Sequence, residues 1–323
     1  MSEPQYQFYD RKPERGSMRD EVLDGLRSEP KALSPKYFYD AEGSALFEAI
    51  TELPEYYLTR TELSLFDSQA ASIAAAVDEG GCIVEYGSGS NLKIRKLLET
   101  TRPAAYVPVD ISSEHLQDNA RELQRDFPML AVYPVCADIT RPFALPEEVA
   151  WLTKIGFFPG SSIGNFDPPG AVQLLETIRS TLGPAQYLLL GVDRKKDPAV
   201  LERAYDDAAG VTARFNLNVL RHVNERLDAD FQLDQFRHVA QYNADIGAVQ
   251  MFLESTVAQR VRIGDATIEF ARGERVHTEN SFKYEPEEFE TLAAQAGYAS
   301  RALWTDPAEY YALFLLQGVA SVG

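Results

Sequence analysis

The feature that most constrains the fold is a series of short, nearly continuous apolar runs that alternate with stretches of helical periodicity. The apolar runs are residues 82–85, 105–109, 131–135, 155–158 and 186–192, and the helical stretches are residues 61–76, 112–127 and 171–181. Strands that are buried on both faces of a parallel sheet have this pattern, because helices cover the sheet on either side. We therefore predict an α/β, Rossmann-like fold with a mostly parallel sheet and helices on both faces.

The pattern changes after Asp193. A helical stretch over residues 198–226 leads into an alternating region, residues 231–272, in which Gly264-Asp265 is typical of a hairpin turn. A helix is then predicted from Pro286, and residues 310–316 are apolar enough to return to the first sheet. A chain of 323 residues exceeds the usual size of one domain. We expect one domain to comprise 61–195 and 287–323, and a second, α+β domain to comprise 1–60 and 196–286.

Composition and charge exclude several classes of protein. The net charge of -18 disfavours binding to nucleic acids and anionic membranes, and no run approaches the roughly 20 apolar residues of a membrane span. Cys82 and Cys136 are too few for a disulfide framework, and the N-terminus lacks the basic and apolar stretches of a secretory signal. The four histidines are scattered without the spacing of metal ligands. We expect a cytoplasmic protein with no metal, no nucleic acid and no membrane among its partners.

Candidate cofactor ligands directly follow three of the predicted strands, where open α/β sheets bind their ligands. The first strand leads into Gly87-Ser88-Gly89, but Leu92 stands where a dinucleotide fingerprint needs a third glycine. The second strand ends at Asp110, whose carboxylate can accept hydrogen bonds from ribose hydroxyls, although an acid there can also cap the next helix. After the third strand, Asp138 suits an adenine amine and Ile139 suits the face of the base. The set predicts an adenosine ligand without phosphates, for which S-adenosyl-L-methionine is the common cofactor.

Further segments resemble the histidine Nα-methyltransferases of ergothioneine biosynthesis. The Pro159-Gly160-Ser161-Ser162-Ile163-Gly164-Asn165 loop and the late Glu279-Asn280-Ser281-Phe282-Lys283 segment carry the resemblance more specifically than the glycine loop does. The other matching segments are Tyr37-Phe38-Tyr39-Asp40 with Gly43-Ser44, Tyr56-Tyr57-Leu58-Thr59-Arg60-Thr61-Glu62, Glu85-Tyr86-Gly87-Ser88-Gly89, and Asp193 with Lys195. Related fungal enzymes that methylate tryptophan-type amines share much of this pattern.

The resemblance implies a class I methyltransferase fold whose first domain binds S-adenosylmethionine and whose second domain binds the substrate. The implied cofactor ligands are Gly87, Gly89, Lys93, Asp110, Asp138 and Ile139. The implied substrate ligands are Tyr56, Gly160, Asn165, Tyr205, Met251, Glu279 and Ser281, and the implied catalytic residues near the amine are Tyr39 and Tyr56.

The chemistry of these side chains agrees with an amino-acid substrate. An Asn amide and a Tyr hydroxyl, Asn165 and Tyr205, supply donors to a carboxylate, while Glu279 and Ser281 can pair the two nitrogens of an imidazole. Met251 and Tyr205 have competing interpretations, as an inward strand residue and as ordinary helix core. We expect a monomer that trimethylates the α-amino group of L-histidine to hercynine and releases S-adenosyl-L-homocysteine.

Two alternatives remain at this point. The first is α-N-methylation of another amino acid such as tryptophan. Glu279 argues against it, because an indole has one donor and no acceptor and would leave the carboxylate or the Ser281 hydroxyl underused. The second is a non-catalytic subunit that binds an adenosine ligand, which the complete set of predicted substrate residues disfavours.

Overall fold

The computed structural model describes residues 6–11, 17–76, 80–184 and 186–319. Contacts divide the chain into two compact units. The first unit comprises the described residues of Met1–Glu14, Arg60–Arg194 and Tyr284–Gly323, and the second comprises those of Arg15–Thr59 and Lys195–Lys283. Within the described ranges, no helix is both long and apolar enough to cross a membrane.

The secondary structure follows the predicted alternation of strands and helices. The α-helices of the described residues are α1 (Met18–Arg27), α2 (Ala41–Thr51), α3 (Tyr57–Ala76), α4 (Asn91–Thr101), α5 (Ser113–Asp126), α6 (Pro168–Leu182), α7 (Pro198–Tyr205), α8 (Val211–Leu227) and α9 (Pro286–Gln295). The strands are β1 (Tyr9–Asp10), β2 (Lys31–Ala32), β3 (Cys82–Tyr86), β4 (Ala105–Asp110), β5 (Ala131–Val132), β6 (Val135–Cys136), β7 (Lys154–Phe158), β8 (Tyr187–Asp193), β9 (Phe236–Asn243), β10 (Ala248–Ser255), β11 (Gln259–Ile263), β12 (Ala266–Phe270), β13 (Arg275–Phe282), β14 (Tyr298–Thr305) and β15 (Tyr311–Gly318).

The first unit is built on one large sheet in the order β1, β6, β4, β3, β7, β8, β15, β14, with β5 paired to β4. The pairs from β1 to β8 are parallel, and β15 and β14 are antiparallel additions. Ile83, Val107 and Leu189 are fully buried, as expected of strands covered on both faces. The mostly parallel α/β fold and the return of residues 310–316 to this sheet are therefore confirmed.

Three details of the first unit differ from the sequence prediction. The run 131–135 forms two short strands, β5 and β6, separated by Tyr133-Pro134, because proline has no N–H to donate to a ladder. The edge strand β14 was not predicted. The N-terminal residues Tyr9–Asp10, which we expected in the second domain, pair in parallel with β6.

The second unit contains a four-stranded sheet in the order β2, β13, β10, β9 and the separate hairpin β11–β12. Ile263 pairs with Ala266 across Gly264, which has a positive φ of 58°, so the predicted hairpin is confirmed. The predicted continuous helix over 198–226 is wrong. It breaks into α7 and α8 because the Asp207 carboxylate accepts the backbone N–H groups of Val211 and Thr212 and so starts a new helix.

Candidate functional site

The glycine loop after β3 leaves space beside its backbone. The N–H groups of Gly87 and Ser88 both donate to the carbonyl of Val109, at 2.9 and 3.1 Å, which ties the loop to the end of β4. Gly87 has a φ of 76°, a conformation that favours glycine. A Cβ added at Gly87 or Gly89 would meet nothing within 4 Å. A ligand can therefore approach this backbone closely.

The two predicted acids have matching local geometry. One oxygen of Asp110 accepts the Ser112 N–H at 2.8 Å, and one oxygen of Asp138 accepts the backbone N–H and the hydroxyl of Thr140 at 2.9 and 2.7 Å. Each acid thus holds a tight turn at the end of its strand. Within the described ranges, no hydrogen bond reaches the second oxygen of Asp138, whereas the Asp110 carboxylate also accepts from the backbone N–H of Ile111. Burial raises the pKa of Asp110, and hydrogen bonding by the Ser112 N–H opposes that rise.

Sequence reasoning gave no role to Glu85, which is buried at the end of β3. Its carboxylate accepts a hydrogen bond from the Tyr106 hydroxyl, which also contacts the Ser88 hydroxyl at 3.2 Å. Burial raises the pKa of Glu85 to about 7, and the hydrogen bonds from Tyr106 and Ser88 oppose the rise. An acid inside an otherwise apolar run was the available sequence signal.

A second buried acid, Glu62 of α3, organises two of the predicted site residues. Its fully buried carboxylate lies 2.6 Å from the Lys93 ammonium and accepts the Gly160 N–H at 3.1 and 3.0 Å. The carboxylate packs against Gly191 of β8, where any Cβ would collide with it. Glu62 therefore fixes both a predicted cofactor ligand and the start of the Pro-Gly-Ser-Ser loop, a role that the sequence did not reveal.

Asn165 closes the short 3₁₀ helix Ser162–Asn165, which follows β7 in the first unit. The preceding residue Ser161 adopts the left-handed conformation, with a φ of 56°, and its hydroxyl accepts the N–H of Asp193 at 2.9 Å. The loop is thereby held against the end of β8. The first unit thus contains eight of the predicted site residues: Gly87, Gly89, Lys93, Asp110, Asp138, Ile139, Gly160 and Asn165.

In the second unit, Glu279 and Met251 are cross-strand partners on β13 and β10. Directly opposed residues of an antiparallel pair project to the same face, so the thioether lies beside the carboxylate. Both side chains are buried. Burial raises the pKa of Glu279 to about 7, and the positive charge of Lys283 opposes the rise.

Tyr205 and Ser281 meet at one point of the second unit. Their hydroxyl oxygens are 2.7 Å apart, and the Lys283 ammonium donates to Tyr205 at 2.9 Å and to Ser281 at 2.8 Å. All three side chains are buried, Lys283 with 1% of its surface exposed. We call Tyr205, Ser281 and Lys283 the hydroxyl–lysine triad. Sequence reasoning included the first two residues and gave Lys283 no role.

The two predicted catalytic tyrosines lie in an aromatic cluster of the second unit. The Phe47 ring centroid is 5.8 Å from that of Tyr39 and 6.4 Å from that of Tyr56. Phe215 lies 5.8 Å from Tyr39, and Tyr205 lies 6.3 Å from Tyr56. Tyr39 is 46% exposed and Tyr56 is buried. Phe47 and Phe215 were missed because apolar residues on helices are ordinarily core.

Comparison with known proteins identifies the family of this chain. Residues 18–318 match the model of the histidine-specific, SAM-dependent methyltransferases. The chain belongs to this family. It is 42% identical to the histidine N-alpha-methyltransferase of Mycolicibacterium smegmatis and 40% identical to that of Mycobacterium tuberculosis, in each case over 93% of this chain and 94% of the relative. It is 33% identical to ergothioneine biosynthesis protein 1 of Neurospora crassa, over 91% of this chain and 34% of that protein.

The first unit of this family member fits its cofactor. The open space beside Gly87 and Gly89 admits a ligand, Asp110 has a carboxylate at the end of β4, and one carboxylate oxygen of Asp138 accepts no hydrogen bond from the described residues. Acceptors of this kind suit ribose hydroxyls and an adenine amine. The chain is an S-adenosylmethionine-dependent N-methyltransferase, as its family shows. The residues at the strand ends predicted the same cofactor.

Proposed function

We propose that this chain transfers methyl groups from S-adenosyl-L-methionine to the α-amino group of L-histidine and yields hercynine, an early intermediate of ergothioneine biosynthesis. Family membership and the identity of 40–42% with two histidine N-alpha-methyltransferases support the reaction. The observation that supports histidine as the substrate is the buried Glu279 carboxylate beside Met251. A buried acid needs a donor, and an imidazole N–H supplies one next to an apolar surface for the ring.

In this proposal the first unit holds the cofactor through its strand ends. Asp110 accepts from the ribose hydroxyls, Asp138 accepts from the adenine amine, and Ile139 packs on the base. The backbone at Gly87 and Gly89 lies against the ligand, and Lys93 is held in place by Glu62. S-adenosyl-L-homocysteine is the expected product on the cofactor side.

In this proposal, one group of side chains binds the α-carboxylate of the substrate and another group binds its ring. Asn165 and Tyr205 donate to the α-carboxylate, with Gly160 in the loop that carries Asn165. Glu279 accepts from the ring, Ser281 pairs the other ring nitrogen, and Met251 packs on the ring face. Tyr56 and Tyr39 lie near the amine.

The sulfonium cofactor supplies an electrophilic methyl group, so the chain needs no covalent catalyst. Its residues align a neutral amine and exclude water from it. The amine loses a proton before each of three attacks, and the hydroxyls of Tyr56 and Tyr39 suit its removal, directly or through water. The faces of Phe47 and the two tyrosines stabilise the amine as it becomes a fixed cation.

A product assay tests the proposal. The protein is incubated with S-adenosylmethionine and each proteinogenic amino acid, and products are identified by mass spectrometry. We expect mono-, di- and trimethylated histidine, with the methyl groups on the α-nitrogen. Methylated tryptophan in place of methylated histidine would refute histidine as the substrate and would still support N-methylation as the reaction. Cofactor binding without any methylated product would favour a non-catalytic binding subunit.

A variant of Glu279 tests the residue that carries the substrate assignment. Glu279→Ala should lower kcat/KM for histidine by roughly 10- to 100-fold, the scale of a charge-assisted hydrogen bond, and leave cofactor affinity unchanged. Discrimination against tryptophan should relax, because the variant loses a carboxylate that penalises an apolar ring. A histidine-to-tryptophan ratio equal to that of the wild type would remove Glu279 from substrate selection.

A further inference from the structure

A histidine of the second unit, His238 of β9, is held by hydrogen bonds at both of its ring nitrogens. Its Nε2 lies 2.8 Å from the carbonyl oxygen of Tyr205, the last residue of α7, and its Nδ1 lies 2.8 Å from the side-chain nitrogen of Asn216 in α8. The ring is half-buried, and the Asn216 side chain is fully buried. The proposed reaction gives no task to this bridge between two helices and a strand.

The partners of the ring fix its protonation state. A carbonyl oxygen only accepts hydrogen bonds, so Nε2 of His238 has the proton and donates to the last carbonyl of α7. The Asn216 nitrogen also donates to the Phe252 carbonyl at 3.0 Å, and turning this amide over would bring two acceptor oxygens together. The amide therefore donates to Nδ1 as well, and the ring is neutral. Burial lowers the pKa of His238, in agreement with a neutral ring, although the hydrogen bond to the carbonyl and the charges of Asp206 and Asp207 oppose the fall.

The hydrogen bond from His238 anchors the backbone end of Tyr205. The last carbonyls of an α-helix have no N–H of the helix to accept, and His238 supplies a donor to one of them. At the other end of the residue, the Tyr205 hydroxyl oxygen accepts from the Lys283 ammonium at 2.9 Å and lies 2.7 Å from the Ser281 hydroxyl. Strand β9 thus holds the backbone of Tyr205 and β13 holds its hydroxyl, so one sheet fixes both ends of the residue.

His238 also lies on the sheet face that contains the candidate substrate residues. It pairs with Leu253 of β10, which is two residues from Met251, and alternate residues of a strand project to the same face. Glu279 of β13 pairs with Met251, and Ser281 is two residues further along the same strand. The imidazole therefore shares one face of the sheet with the acid, the thioether and the hydroxyl that we assign to the substrate.

We propose that His238 is a positioning residue that holds Tyr205, through its backbone carbonyl, where its side chain contacts the substrate. The inference rests on the proposed assignment of Tyr205 to the substrate and deepens it. His238 acts on the substrate only through Tyr205, because the protein already uses both of its ring nitrogens. The role belongs to one atom of the ring, Nε2, and this separates it from a general role of the ring in packing.

Two amides that replace different ring nitrogens test the proposal. The longer side chain of His238→Gln brings an N–H to the position of Nε2 and keeps a donor to Tyr205, whereas His238→Asn keeps only an acceptor for Asn216 at the position of Nδ1. Dissociation constants are measured by calorimetry. We expect His238→Asn to raise the constant for histidine roughly 3- to 10-fold, the scale of one neutral hydrogen bond, and His238→Gln to stay within about 2-fold of the wild type. The constant for S-adenosylmethionine should be unchanged in both variants. Equal constants for histidine in the two variants would overturn the proposal.

The matched control is a histidine on the other face of the same sheet. His277 pairs with Phe252, which is adjacent to Met251 on β10 and so projects away from it, and the two rings are 5.5 Å apart. The His277 Nε2 lies 2.8 Å from the side-chain oxygen of Asn280. His277→Asn should leave the constant for histidine unchanged. A loss as large as that of His238→Asn would assign the effect to the stability of the sheet and overturn the proposal.

A measurement on the wild type tests the proposal even if His238→Asn does not fold. The nitrogen chemical shifts of labelled histidine rings distinguish an N–H at Nε2 from an N–H at Nδ1 and from the doubly protonated ring. The signal that is missing in His238→Gln identifies His238. We expect a proton at Nε2 and none at Nδ1 at neutral pH. A proton at Nδ1 alone would leave Tyr205 without this donor and would overturn the proposal.

A double-variant cycle separates this proposal from the proposed function. If His238 acts through Tyr205, the loss caused by His238→Asn shrinks once Tyr205→Phe has removed the hydroxyl, so the two losses are not additive. Additive losses would refute the role of His238 and leave the substrate assignment as it stands. A Tyr205→Phe variant with the histidine affinity of the wild type would refute the assignment of Tyr205 and the positioning role with it. A wild type that methylates another amino acid would refute histidine as the substrate, and the cycle is then measured with that amino acid.

Discussion

The acids of the two units are held in opposite ways. In the first unit, Asp110 and Asp138 each use one oxygen to fix a turn of the adjacent backbone. In the second, the Glu279 carboxylate is buried, and no side-chain or backbone donor of the described residues reaches it. A carboxylate fixed by neighbours in sequence is positioned before any ligand binds. A buried carboxylate without a donor instead depends on charge from Lys283 and on the ligand itself.

The same contrast holds for the chain segments that build the candidate cofactor site and those that build the candidate substrate residues. The glycine loop and the two aspartates follow directly from the ends of β3, β4 and β6. The hydroxyl–lysine triad combines the end of α7 with β13, and the aromatic cluster combines α2 with α8. Local turns therefore build most of the candidate cofactor site, whereas contacts between distant segments build the candidate substrate residues.

The largest loss of stability is expected for a variant of Glu62. This residue is the exception to the local construction of the first unit, because it joins segments that are distant in sequence. Glu62→Ala leaves the Lys93 ammonium, whose side chain is 17% exposed, and the Gly160 N–H without their acceptor. Removing one partner of such a buried pair should lower the free energy of unfolding by about 3 kcal/mol. Denaturation in urea measures the loss.

A surface ion pair between the same two helices is the control. Asp67 of α3 lies 2.7 Å from Lys96 of α4, but both side chains are well exposed to solvent. Asp67→Ala should hardly change the free energy of unfolding, because solvent screens exposed pairs. If both variants lose the same stability, the network around Glu62 does not hold the loop at Gly160.

Sequence patterns predicted the locally built part of the molecule well, for a physical reason. Apolar runs mark buried strands, and parallel strands bring the residues that follow them to one edge of the sheet, so Gly87, Asp110 and Asp138 could be predicted as candidate ligands from position alone. The alternative interpretation of Asp110 as a helix cap is wrong, because Ser112 is the N-cap of α5 and Asp110 accepts the N–H of Ser112 in the turn before the helix.

The remaining residues could not be found from position. Glu62 lies 98 residues from the Gly160 N–H that it accepts, and Tyr205 lies 78 residues from Lys283. No periodicity encodes such contacts, and Phe47 and Phe215 have the pattern of ordinary helix core. Tyr205, Glu279 and Ser281 entered the prediction through family resemblance, which supplies long-range pairing that a single sequence does not show.

A smaller effect, and one with a defined pH dependence, is expected at Glu279. Burial raises its pKa to about 7 in the folded protein, above the ordinary value of 4.5. The protonated form is thus favoured by folding, and the associated stability is present below pH 4.5 and lost as the pH rises through 7. The side chain of Glu279→Gln is neutral at every pH. As the pH rises from 4.5 to 8, the free energy of unfolding of this variant should therefore increase by about 2–3 kcal/mol relative to that of the wild type.

The opposite dependence of stability on pH is expected at Glu254, an acid of the same sheet whose side chain is 12% exposed. Hydrogen bonds from Arg275 and Arg237 lower its pKa, so its contribution is present above the unfolded pKa and lost as the pH falls. Glu254→Gln should therefore be more destabilising at pH 7 than at pH 3. Urea denaturation across this range measures both variants. A Glu279→Gln profile parallel to that of the wild type would mean that the carboxylate is not buried as the structure has it.

The smallest effect is expected at Asp110, because its turn survives when its charge is removed. Asp110→Asn keeps an oxygen for the Ser112 N–H and replaces the second oxygen, which we assign to the ribose, with a donor. The dissociation constant for S-adenosylmethionine should rise about 30-fold, or about 2 kcal/mol, with unfolding nearly unchanged. Asp167→Asn alters an acid that likewise accepts a backbone N–H, from Gly170 at 2.9 Å, and should leave cofactor affinity as it is. Calorimetric titration of both variants decides the matter: if Asp110→Asn loses stability instead of cofactor affinity, the carboxylate serves the turn alone, and the first unit then holds its ligand by backbone contacts without this acid.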